Sequence, residues 1–124
     1  MRKLLVILTL CFPIILFGQF SDKEQKGLDS LNLIISNPNS PDTAVARSYL
    51  ELSNFLYVSN LDTMVPLCEK VIELAEKKLA QNPEEIEKTL MLNLYSGALN
   101  NIAFVFMNNG EINQCLYYLQ ESLS

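Results

Sequence analysis

The chain contains no histidine and no tryptophan, and only three of its 124 residues are cysteine. Without histidine and without any Cys-x-x-Cys spacing, neither a zinc site nor a histidine-assisted nucleophile has the residues it needs. Basic residues are scarce, nine Lys+Arg against fourteen Asp+Glu, for a net charge of −5 at pH 7. That balance excludes a nucleic-acid footprint, whose phosphates require clustered positive charge. It equally gives no attraction to anionic lipid.

At this length one domain is the expectation, and the apolar fraction of 49% is at the upper end of globular composition. Part of that fraction is concentrated at the start. Met1-Arg2-Lys3 is followed by an uncharged run from Leu4 to Phe17 and then Gly18. A basic start, a short apolar segment and a small residue are the parts of a secretory signal peptide. The run is also shorter than the roughly 20 residues of a bilayer-spanning helix. Residues 1–18 are therefore expected to be a signal peptide removed on export to a periplasmic or extracellular location. The alternative is a membrane anchor over residues 4–17, the one route by which the chain would meet a membrane. Cys11 follows the bulky Leu10 and does not read as a lipidation site. Loss of Arg2 and Lys3 leaves seven basic against fourteen acidic residues.

From Ser21 onward apolar residues recur at three and four, which is helical periodicity, and no stretch alternates at two. The first helix opens on the capping box Ser21-Asp22-Lys23-Glu24 and carries Leu28, Leu31, Ile34 and Ile35. Asn37-Pro38-Asn39-Ser40-Pro41 ends it. The second helix is expected to take Ser40 as cap and Pro41 as first residue, with Val45, Tyr49, Leu52, Phe55 and Leu56 on its stripe. A break at residues 59–62 precedes a third helix capped by Asp62 and running to about Ala80. It buries Met64, Leu67, Cys68, Val71, Ile72, Ala75 and Leu79. Its opposite, solvated face includes an attractive Glu73–Lys77 spacing. Asn82-Pro83-Glu84-Glu85 reads as the start of a fourth helix of about 25 residues, stopped by Asn108-Asn109-Gly110. Gly97 inside that helix costs about 1 kcal/mol against alanine, which implies close packing or a bend. A fifth helix begins at Glu111. Cys68 and Cys115 fall on apolar stripes and read as core residues, although an exported chain could pair them.

Superposing Leu52-Ser53 on Ile102-Ala103 aligns a large-small pair, an apolar residue four places on at Leu56 and Phe106, a turn, and a second helix. Cys115, Leu119 and Ser122 in one copy match Met64, Cys68 and Val71 in the other. These residues resemble the tetratricopeptide repeat, with Ala98 to Glu111 similar to its first helix and turn and Leu116-Tyr117-Tyr118-Leu119 to its second helix. The resemblance covers residues 45–78 and 96–124. It departs from the family in having no tryptophan, in cysteine and serine at Cys115 and Ser122, and in a separation of about 50 residues where about 34 is usual.

The resemblance implies an all-α fold of antiparallel helical hairpins stacked as a short α-solenoid. The domains would be a signal peptide at 1–18, a helix and linker at 19–41, and a repeat domain at 42–124 whose pattern reads as incomplete at the C-terminus. It implies a non-catalytic module that binds a protein or peptide partner without a cofactor. The groove residues would be Arg47, Leu50, Asn54 and Tyr57 in one copy and Asn100, Asn101, Phe104 and Met107 in the other. Leu50 stands where the family's carboxylate clamp needs a base, so that binding mode is not expected. The terminal helix would expose Leu116, Tyr117, Leu119 and Leu123, a surface for self-association. An alternative is the sensor region of an exported repeat-containing histidine kinase or similar signalling protein. The only carboxylate grouping to weigh as catalytic, Glu84, Glu85 and Glu87, lies in the first turn of a helix, where acids are favoured by the dipole.

Overall fold

A computed structural model of the chain describes residues 21–57 and 60–123, and every regular element among them is an α-helix. These are α1 (Asp22–Ser36), α2 (Asp42–Leu56), α3 (Leu61–Leu79), α4 (Glu85–Asn108) and α5 (Ile112–Leu123). The expected all-α class holds. The export signal expected over residues 1–18, Cys11 included, lies outside the described residues. The chain divides into two units, Met1–Ser30 and Leu31–Ser124.

In the first unit the capping box is formed. The Ser21 N–H donates to Glu24 Oε2 at 2.7 Å, and the Glu24 N–H donates to Ser21 Oγ at 3.2 Å. The backbone and hydroxyl of Ser21 favour the carboxylate form and lower the Glu24 pKa.

In the second unit three helix starts differ from expectation. Pro41 stands outside α2 in extended conformation, and the Ser40 hydroxyl turns back to donate to the Ile34 carbonyl at 2.7 Å. Asn60, two residues before Asp62, caps α3 by accepting the Thr63 N–H at 3.3 Å. Asn82 has φ +53°, a left-handed conformation that asparagine tolerates and that terminates helices. It therefore closes the exit from α3, and α4 begins only after the extended Glu84. Pro66 is the sixth residue of α3, beyond the first turn, so its missing N–H leaves the Asp62 carbonyl without the donor it would have had in an uninterrupted helix.

The turn from α4 to α5 has the paired bonds of a Schellman motif. The Glu111 N–H donates to the Phe106 carbonyl at 2.9 Å and the Gly110 N–H to that of Met107 at 3.1 Å, with Gly110 at φ +78°.

Helix α2 packs on α3, α3 on α4, α4 on α5, and α2 also meets α4. Ala46, Cys68, Val71, Ala75, Met91, Leu94, Ala98 and Ile102 form the core. On α2 the fully buried positions are small, Ala46, Ser48 and Ser53, while the larger Tyr49, Leu52, Phe55 and Leu56 are half-buried. Small residues facing inward let helix axes approach closely. Gly97 serves the same end: a Cβ there would stand 3.0 Å from Leu50 Cδ2, so the expected close packing is present. By length and composition α4 could cross a bilayer. In this fold it is the helix met by three others, and a helix flanked on several sides is apolar around much of its circumference.

The expected Glu73–Lys77 pair is not the one made: Lys70 reaches Glu73 at 3.4 Å, and Lys77 lies 4.0 Å from Asp42. Lys78 and Glu87 join the exit of α3 to the start of α4 at 3.3 Å.

Candidate functional site

Of the eight groove residues expected from the repeat register, four come together. Asn54, Tyr57, Asn101 and Phe104 line a cleft of about 340 Å³ with Met64 as fifth wall. Residues from α2, α3 and α4 thus meet at one place, Tyr57 directly following the last residue of α2. Arg47 and Asn100 are exposed, and Met107 is half exposed at the far end of α4. Leu50 is spent against Gly97. Met64 is buried and reads from sequence as core; nothing in its spacing marks it as a cleft residue.

The polar side of the cleft has a fixed hydrogen-bond direction. The Ser53 hydroxyl has one proton and donates it to the Leu50 carbonyl at 2.7 Å. Its oxygen can then only accept, and the group it faces is Asn101 Nδ2 at 3.0 Å. That contact sets which end of the Asn101 amide is nitrogen, an orientation decided by the bonding network. The second Asn101 N–H donates to Asn54 Oδ1 at 2.8 Å. Asn54 Nδ2 and Asn101 Oδ1 remain, donor and acceptor on neighbouring amides. Neither has a partner among the described residues.

The apolar side consists of Tyr57 and Phe104, whose ring centroids are 5.3 Å apart and tilted by 53°, within the range of favourable aromatic pairs. Tyr57 is half exposed. A second depression of about 260 Å³, lined by Glu51, Asn54 and Phe55, shares Asn54.

Beneath the amides lies Cys68, fully buried. Burial raises its pKa by penalising the thiolate, and Ser53 and Asn101 beside it act in the opposite, smaller direction. Cys68 and Cys115 are both buried free thiols. Among the described residues no three His, Cys, Asp or Glu side chains converge as metal ligands. The cleft offers an amide donor, an amide acceptor and aromatic surface, which is the equipment of recognition by hydrogen bonding and apolar contact.

No protein-family model, curated protein or solved structure matches the chain.

Proposed function

We propose that the chain is a non-catalytic helical-repeat module that holds an extended peptide segment of a partner protein in the cleft of Asn54, Tyr57, Met64, Asn101 and Phe104. The observation that carries this reading is the directed amide pair. Ser53 consumes one Asn101 N–H and Asn54 the other, leaving one donor and one acceptor side by side. A peptide unit offers the complementary pair, C=O and N–H, and one apolar side chain of the same segment would lie on Tyr57 and Phe104.

The repeat assignment is part of the proposal. It is supported by the pairing of α2 with α3 and of α4 with α5, and by the lateral packing of α2 and α3 on α4, as stacked hairpins require. Export is likewise proposed, on the charge order and length of the first eighteen residues.

Selection of a random-peptide display library on the purified chain tests the cleft. The expected result is enrichment of a peptide class whose affinity falls at least about tenfold in the Asn54→Ala, Phe104→Ala double variant, in line with the loss of one hydrogen bond and one aromatic contact. Helical circular dichroism would be unchanged. Enriched peptides that bind the double variant equally well would place recognition elsewhere, and a library yielding no binder would remove the reading.

A further inference from the structure

Helix α5 has two apolar faces. Cys115 and the half-buried Tyr118 and Ser122 turn toward α4: Tyr118 stacks on Phe106 at 5.4 Å, and Ser122 bonds Ser96. Ile112, Leu116, Leu119 and Leu123 are exposed at 56%, 51%, 40% and 89%. At 3.6 residues per turn these four fall within an arc of about 60°. They form one continuous stripe along the helix, not scattered surface leucines.

The spacing of the stripe is four, three, four, the heptad spacing that accepts a second helix at a shallow crossing angle. Read from either end it is the same. A two-fold axis placed between Leu116 and Leu119 sets Leu116 of one chain opposite Leu119 of the other, and Ile112 opposite Leu123. The flank is equally tolerant of itself. The neighbouring exposed side chains are Asn113 and Gln120, neutral amides that each donate and accept, so a second copy meets no like charge there. The acid within α5, Glu121, projects from the side of the helix away from the stripe by the helical period. A surface shaped for a charged foreign helix would carry complementary charge along its rim; this one carries none.

We propose that this stripe is an isologous interface, in which α5 of one chain packs antiparallel on α5 of a second copy. Such a surface needs self-complementarity about a two-fold axis, and the palindromic spacing and uncharged rim supply it. The stripe shares no residue with the peptide cleft, so the two surfaces are independent.

Sedimentation equilibrium of the full chain at micromolar concentration is expected to show a dimer. Leu116→Glu is expected to weaken it by more than about a hundredfold, since a two-fold interface loses the leucine twice. Leu123→Glu, at a position exposed enough to leave the monomer fold untouched, is expected to act in the same direction. Orientation is read by disulfide trapping in a Cys11→Ser background. Ile112→Cys chains mixed with Leu123→Cys chains should cross-link to each other, and neither variant to itself. A monomeric wild-type chain, a dimer indifferent to both glutamates, or cross-links between like positions would each overturn the proposal.

Discussion

Ser96 and Ser122 exchange hydrogen bonds across α4 and α5: the Ser96 hydroxyl donates to the Ser122 carbonyl at 3.1 Å, and the Ser122 hydroxyl donates to the Ser96 carbonyl at 3.2 Å. The two bonds differ in value. Ser122 lies in the last turn of α5, where carbonyls lack intrahelical donors, whereas the Ser96 carbonyl is inside α4. Ser96→Ala is therefore expected to cost about 1 kcal/mol, and Ser122→Ala less. The double variant should cost less than the sum, because losing either bond relaxes the geometry of the other. Urea denaturation of the four proteins checks this; equal single effects that add fully would contradict it.

Leu50 and Gly97 define a second coupled pair. A Cβ at residue 97 would meet the end of the Leu50 side chain at 3.0 Å, a flexible group that is only half-buried. Alanine gains about 1 kcal/mol of helix propensity, and displacing Leu50 offsets a similar amount. Gly97→Ala is expected to be near neutral in the wild type and stabilising by about 1 kcal/mol in a Leu50→Ala background. Thermal and urea unfolding of both backgrounds supply the comparison, and the same Gly97→Ala effect in each would mean that the contact is not limiting.

The helices were legible because their period is a property of single segments. Leu28 and Leu31 on α1, or Met64, Cys68, Val71 and Ala75 on α3, need no knowledge of neighbours to be placed inward. Helix starts were less legible, because adjacent residues compete for the role. Ser40 has the chemistry of a cap, but its hydroxyl is turned back to the Ile34 carbonyl and Pro41 stands at the cap position instead. Asn82 followed by proline suits a start as well as a stop, and only its positive φ decides. Within the site, the repeat register brought out Asn54, Tyr57, Asn101 and Phe104. The relay through Ser53 joins residues 48 apart in sequence and leaves no local pattern, and Arg47, Asn100 and Met107 fit the same register without lining the cleft.

Cys68 connects that relay to the core and gives the protein an alkaline limit. Its thiol is buried among Val71, Ala98 and other core side chains, and burial raises its pKa above the ordinary thiol value. The native state thus holds this proton more tightly than the unfolded chain does. Below the ordinary thiol pKa both states are protonated, and the contribution to stability is fully present. As pH rises through the ordinary value toward the elevated native one, the unfolded state ionises first and the contribution is lost, at up to about 1.4 kcal/mol per pH unit. Tyr95 has a pKa raised by burial, with Glu76, Glu121 and Tyr117 adding to it, so a second decline is expected at higher pH and should vanish in Tyr95→Phe. Urea midpoints measured from neutral to strongly alkaline pH should fall for the wild type and fall less steeply for Cys68→Ala, whose lower neutral-pH stability serves as its own baseline. Superimposable pH profiles for wild type and Cys68→Ala would show that the thiol ionises alike in both states and would remove Cys68 as the cause.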